Sequence, residues 1–423
     1  MKRIIFLPIL MMVTISSMAQ NKNAVDAAVS KFQNFYNLQQ PDSFFNMLSE
    51  KGQSTLTPEK AKLAISSLYQ QYGKLVSCEK LHEDAGLATY KSTFQRITLT
   101  LLVVLGQDNK LETFRFLPYK EESANDTAKK APSNFVYKSA TGNIYGTLTL
   151  PDGSKKVPVV LIISGSGPTD RDCNSSLGLK SNAFLMLADS LKKAGIASLR
   201  YDKRGIGESA KAMKDEENMR LDDYINDAAA IIKMLKNDSR FAGVYVAGHS
   251  EGSLIGMIAA GKVTVAGYIS IAGMGEGMDK VIDKQIRAQS AEMADKAKII
   301  LDSIRNGYTA KDIPEELFNL FHISVQPYLH SCLRYNPQTE IKKLKIPVLL
   351  IQGTTDLQVG IEEAELLKKA QPKARLVMVK GMNHVMKQAP ADREQNFATY
   401  NKPELPLSPG FVPDLVKFIN QSK

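Results

Sequence analysis

The pentapeptide Gly248-His249-Ser250-Glu251-Gly252 puts a serine between two glycines, where one apolar run, "VYVA", stops and another, "SLIG", begins. The run before it reads as a buried strand and the stretch after it as a helix, so Ser250 falls on the turn between them. Such a turn is crowded. Small residues on both sides let the chain close up and leave the hydroxyl exposed at the carboxyl edge of a sheet. The helix start behind Ser250 favours negative charge, and the backbone N–H of Glu251 is aimed where an oxyanion would form. Those are the requirements of a nucleophile.

A serine hydroxyl attacks at neutral pH only with a base in hydrogen-bond reach, and the base needs an orienting carboxylate. The chain has five histidines, His82, His249, His322, His330 and His384. His82 lies in the N-terminal part, and His322 and His330 fall in an insertion described below. His249 neighbours Ser250 on a tight turn, so its side chain is expected to point elsewhere. His384, in "VKGMNHVM", follows the last strand pattern and is the one placed as a base should be. The acid should end a strand before it, and "IPVLLIQGTTDLQV" supplies Asp356, three residues after Gly353. Glu362 and Glu363 are expected to face solvent on the next helix. A second oxyanion donor belongs in "LIISGSGPTDRD", where the N–H of Ser166 is the choice and Gly165 or Gly167 could take its place. The order Ser250, Asp356, His384 is that of the α/β-hydrolases.

Other groups carry less. "DKRGIGES" (202–209) contains G-x-G without the rest of a dinucleotide fingerprint, so no cofactor is expected. Its Asp202 and Arg204 are expected to tie the loop together. Asp170, Arg171 and Asp172 read as a local ion-pair turn, and no metal is expected there. Cys78, Cys173 and Cys332 are too widely spaced for a zinc pattern and allow at most one disulfide.

These residues need a scaffold. A chain of 423 residues, 43% hydrophobic and 23% charged, is long enough for two domains with sizeable cores. The net charge of +10 is spread out, with no dense Lys/Arg block interleaved with aromatics, which disfavours nucleic acid as a partner. Residues 1–19 read as a cleaved signal peptide: a Lys2-Arg3 start, an apolar run from Ile4 to Ile15, then Ser17-Met18-Ala19. Export to a bacterial periplasm or beyond is therefore expected. No later stretch approaches 18 consecutive apolar residues, so no integral membrane segment is expected after cleavage.

Residues 24–119 read as a small α+β domain, with helical spacing over Val25–Tyr36 and over 58–72, then β-rich runs at 94–106 and 112–119. "KEESANDTAKKAP" (120–132) reads as a linker. From 133 to 423 a hairpin (135–151) leads into short apolar runs that alternate with helices, the pattern of a parallel sheet covered on both faces. One gap, about 275–340, carries a long helical stripe of Ile282, Ile286, Met293, Ala297, Ile300 and Ile304. It is expected to be a helical lid over the ligand-binding edge.

Taken together, "SGSGPTDRD", "YDKRGIGES", "GHSEG", "QGTTDLQV" and "GMNH" resemble secreted bacterial α/β-hydrolases of the esterase and serine-aminopeptidase-like group, over about 133–421. The resemblance implies a Ser–Asp–His triad at Ser250, Asp356 and His384. It also implies ester hydrolysis on small acyl esters, with short peptides as alternative substrates. One departure is Ser164-Gly165, where many α/β-hydrolases carry His-Gly; it bears on the oxyanion donor. The N-terminal domain is similar, more loosely, to small domains of nuclear transport factor 2-like fold that precede such hydrolases. An inactive ligand-binding protein is the reading from another class.

Overall fold

The computed structural model describes residues 22–84, 87–106, 108–119, 133–153, 156–175 and 178–422. The expected signal peptide and linker lie outside them. The chain forms two compact units, one on each side of residues 120–132.

Among the described residues the first unit has four helices, Lys22–Asn37, Pro41–Asn46, Glu50–Thr55 and Pro58–Tyr72, followed by four strands, Leu75–Asp84, Leu87–Phe94, Thr98–Leu105 and Leu111–Pro118. The strands pair in chain order as an antiparallel meander. The fourth helix starts where Thr57 accepts from the N–H of Lys60 and Pro58 takes a position that needs no N–H donor. It ends at Gly73, whose φ of 77° suits glycine. Phe32, Tyr36, Phe44 and Phe94 are buried in a core that Phe114 and Phe116 partly cover. The first two strands escaped the sequence reading; "SCEKLHED" in the first has too few apolar residues to show a period of two.

The second unit is built on an eight-stranded sheet. Its strands are β1 (Phe135–Lys138), β2 (Asn143–Thr149), β3 (Val157–Ile163), β4 (Ala197–Tyr201), β5 (Phe241–His249), β6 (Gly267–Ile271), β7 (Val348–Gly353) and β8 (Arg375–Val379). Across the sheet they run 8-7-6-5-3-4-2-1. Strands β3 to β8 are parallel, and the β1–β2 hairpin adds antiparallel to β4. The alternation in "VPVVLII" decides how the sheet is covered. Val159, Leu161 and Ile163 pack into one core and Val160 and Ile162 into the other. Helices α1 (Ala183–Lys193), α2 (Leu221–Asn237) and α3 (Glu251–Lys262) follow β3, β4 and β5 respectively. Chain order reverses direction on either side of β3, so the crevice at the carboxyl ends of β3 and β5 is the topological switch point.

Between β6 and β7 run five helices, α4 (Met278–Arg287), α5 (Ala291–Arg305), α6 (Glu315–Phe321), α7 (Gln326–Leu333) and α8 (Pro337–Lys343). The expected single stripe is two helices. Ser290 caps α5 by accepting from the N–H of Met293 and thereby starts a new helix. Ile282, Ile286, Ala297, Ile300 and Ile304 are buried all the same, in the core that also lines the sheet. The loop after β7 leads into α9 (Ile361–Ala370). Glu363 on this helix corrects the expectation of a solvent-facing side chain. It is 1% exposed and accepts from the N–H groups of Gly275 (2.8 Å) and Glu276 (2.9 Å) and from Lys284 Nζ (2.6 Å).

Candidate active site

The turn at Ser250 shows why its neighbours are glycines. A Cβ on Gly248 would stand 2.1 Å from the carbonyl oxygen of Gly252, and one on Gly252 would stand 2.4 Å from that of Ile163 and 2.5 Å from that of Ser164. No side chain fits either place. Ser250 itself has φ 55° and ψ −123°, a conformation that costs a non-glycine residue about 1–3 kcal/mol. It is held there by its N–H to the carbonyl of Ile271 (3.0 Å) and by its carbonyl, which takes the N–H of Ser253 (3.0 Å). The result is a half-buried serine at the head of α3.

His384 and Asp356 meet directly, Nδ1 to Oδ2 at 2.8 Å, with side chains 7% and 0% exposed. The other carboxylate oxygen accepts from the N–H groups of Gln358 (2.8 Å) and Val359 (3.0 Å). Because a carboxylate only accepts, Nδ1 carries the proton and Nε2 keeps its lone pair, free to accept one. The loops that carry the pair are tied together by Thr354 N–H to the Val379 carbonyl and Thr355 N–H to the Met382 carbonyl, each 3.1 Å. Asn383 beside His384 donates to Thr399 Oγ1 (2.7 Å), and Asn396 donates to the carbonyl of Thr355 beside Asp356 (2.8 Å).

His249 does not turn away from the site, as the tight turn suggested. It is buried, its Nε2 donates to the carbonyl of His384 (2.8 Å), and the two rings lie 4.6 Å apart. Burial, helped by the charge that His384 can carry, depresses its pKa to about 3, so it is a neutral strut. Through it the residue next to Ser250 touches the loop that carries His384. Among the described residues no hydrogen bond joins Ser250 Oγ to His384; such bonds tighten when substrate binds.

The glycine loop after β3 leans on the same turn. A Cβ on Gly165 would lie 3.0 Å from Ser250 Cβ and 3.3 Å from His249 Nδ1. Among the described residues the N–H groups of Ser166 and Glu251 donate to no protein acceptor, which leaves both available to a ligand.

The reading of Asp170, Arg171 and Asp172 needs correction. Arg171 is not in a local pair. Its guanidinium bonds Asp202 (2.6 Å) and Glu208, while Asp172 pairs with Arg200. Asp202 ties its loop together by accepting from the N–H of Glu208 (3.1 Å), and Arg204 donates to the carbonyl of Ala212 (3.1 Å) and pairs with Asp227 on α2 at 2.7 Å. These ion pairs lash the glycine loop and the loop after β4 to the rest of the unit. One cluster was missed altogether. Lys203 Nζ, 1% exposed, donates to the carbonyl of Gly165 (2.5 Å) and stands 3.5 Å from Glu251 Oε2, while Tyr328 donates to Glu251 Oε1 (2.7 Å). The one available hint was a lysine placed directly after a buried strand, in "RYDKRG".

All three cysteines are free thiols. Among the described residues no cluster of histidine, cysteine and carboxylate side chains could hold a metal ion, and no helix is long and apolar enough to cross a membrane.

The chain is similar to several known hydrolases. Residues 176–313 match the family model Hydrolase_4, described as serine aminopeptidase, S33. The chain is 26% identical over 355 residues to esterase EstD of Thermotoga maritima, covering 82% of this chain and 84% of that protein. It is also similar to the solved structure of Est1E from Butyrivibrio proteoclasticus, with 16% identity, a TM-score of 0.45, and 69% of this chain and 99% of that one covered. A further similar structure is the esterase EaEST from Exiguobacterium antarcticum, with 18% identity, a TM-score of 0.42, and 67% and 98% covered. The chain is thus similar in sequence to an esterase and, over residues 176–313, to serine-aminopeptidase-type hydrolases.

Proposed function

We propose that the protein is an exported carboxylic ester hydrolase that works through an acyl-enzyme on Ser250. Ser250 Oγ attacks the acyl carbonyl while His384 Nε2 takes its proton. The imidazolium is stabilised by Asp356, and the oxyanion by the N–H groups of Ser166 and Glu251. His384 returns the proton to the departing alkoxide. Water then repeats the cycle on the acyl-serine and frees the acid.

The observation that carries this reading is the 2.8 Å His384–Asp356 contact, next to a serine held in a strained turn at the same sheet edge. The first twenty residues support export. The insertion borders the acid loop, where Gln285 donates to the carbonyl of Gln358 (2.9 Å), and this supports a role in shaping substrate access.

Aminopeptidase activity is the second reading, favoured by the description of the matching family. It requires a carboxylate for the substrate's free amino group. Glu276 at the start of the insertion is half-exposed but already paired with Lys284 at 2.7 Å.

Ser250→Ala tests the scheme. Turnover of p-nitrophenyl acetate should fall roughly 10³- to 10⁶-fold with the melting temperature retained. Activity close to wild type would remove Ser250 from the reaction. Parallel assays on aminoacyl p-nitroanilides separate ester from amide cleavage.

A further inference from the structure

Lys203 has no task in the scheme above, yet its position is costly. Taking an ammonium out of water costs several kcal/mol even after the surroundings relax, and an apolar side chain of similar volume is often as stable there. Burial pulls its pKa down, and the neighbouring Glu251 carboxylate opposes that. Three groups face the ammonium: the Gly165 carbonyl at 2.5 Å, Glu251 Oε2 at 3.5 Å, and the ring of Tyr224 at 4.8 Å from its centroid.

The nearest of these is the informative one. The Gly165 carbonyl belongs to the peptide unit whose other end is the N–H of Ser166. That unit is planar and trans, so its C=O and N–H point in opposite directions. A bond that fixes the oxygen therefore fixes the hydrogen. A cation on the carbonyl also polarises the unit and makes its N–H a better donor. Glu251, which anchors the ammonium through its carboxylate, supplies the second N–H from its own backbone. One ion pair thus reaches both groups available to an oxyanion.

We infer that the Lys203–Glu251 pair is a positioning device for the oxyanion hole. Lys203 acts through the Gly165–Ser166 peptide, and Tyr328 fixes the far oxygen of Glu251. This rests on the acyl-enzyme reading. Lys203 touches no substrate.

The test compares Lys203→Met with the double variant Lys203→Met/Glu251→Gln, in the full mature chain. The single variant leaves the Glu251 carboxylate buried without its cation and should melt lower. The double variant removes that charge, keeps the Glu251 N–H and should regain most of the melting temperature. Each is assayed below its own melting transition. For the double variant kcat/KM on p-nitrophenyl acetate should stay down roughly 10- to 100-fold. The Ki of a trifluoromethyl ketone, which forms a tetrahedral oxyanion adduct on the serine, should rise by a similar factor. If activity and inhibitor affinity both return with the melting temperature, the pair is structural only and the inference is overturned. A wild-type protein that neither hydrolyses the ester nor binds the ketone overturns the acyl-enzyme reading itself, and the inference falls with it.

Discussion

The neutral strut at residue 249 makes stability depend on pH in a calculable way. His249 is fully buried against Phe184 (ring centroids 5.6 Å) and His384 (4.6 Å), and its pKa is near 3 where an ordinary histidine titrates at 6.5. Desolvation is the main cause. The charges of His384 and Lys203 add to it, while the bond to the His384 carbonyl and the Asp356 carboxylate oppose it. Above pH 6.5 the side chain is neutral in both the folded and the unfolded chain and contributes no slope. As pH falls through 6.5 the unfolded chain takes a proton that the folded chain refuses until about pH 3, so stability is lost across that window. Each pH unit well below 6.5 is worth about 1.4 kcal/mol, and because the unfolded histidine is already half protonated at pH 6.5 the loss between pH 6.5 and 4.5 is roughly 2.3 kcal/mol, about 50-fold in the unfolding equilibrium. Carboxylates also respond in this range, so the measurement is a difference. Urea unfolding of wild type and His249→Gln, followed at the transition that abolishes ester hydrolysis, is compared at the two pH values. Glutamine can still donate to the His384 carbonyl but cannot be protonated. Wild type should lose roughly 2–3 kcal/mol more than the variant; parallel pH dependences would refute the argument.

Three further outcomes follow from the same geometry. Asp356→Asn keeps the size of the side chain but presents an amide to Nδ1, inverts the imidazole's useful tautomer, and should lower kcat roughly 10³- to 10⁴-fold, read on p-nitrophenyl acetate. Gly248→Ala sets a methyl 2.1 Å from a backbone oxygen that cannot yield, so the turn must open. Labelling of Ser250 by a fluorophosphonate should then disappear even from whatever folded protein is recovered. Glu363→Ala strips the N–H groups of Gly275 and Glu276 of their acceptor and should make the 275–290 segment cleavable by trypsin under native conditions. Unchanged digestion kinetics would show that the packing of α4 alone holds this segment.

How much of this was legible depended on how far each residue acts along the chain. Ser250, Asp356 and His384 could be chosen because each follows a run that reads as a strand, and the fold delivers the ends of parallel strands to one edge. The paired glycines spoke for themselves, since their tight contacts lie within the turn or on the adjacent strand end. His249 was misjudged because its partner is a carbonyl 135 residues away, and Glu363 because its partners lie 79 to 88 residues upstream. Lys203 and Glu251 are 48 residues apart and look like surface charges until the loops are folded. The break between α4 and α5 was hidden because the apolar stripe runs on across it.

Tyr328 belongs to the insertion, yet its hydroxyl ends on Glu251, the residue that follows Ser250, and Ser331 one turn later accepts from the N–H of Leu221 at the start of α2 (2.8 Å). The insertion is therefore rooted in the eight-stranded unit and is no detachable cap. A chimaera that trades 275–340 for a relative's segment would strand a carboxylate in the interior and uncap a helix, so selectivity here has to be remodelled from the outer face of α4 and α5, with the root at α7 left in place.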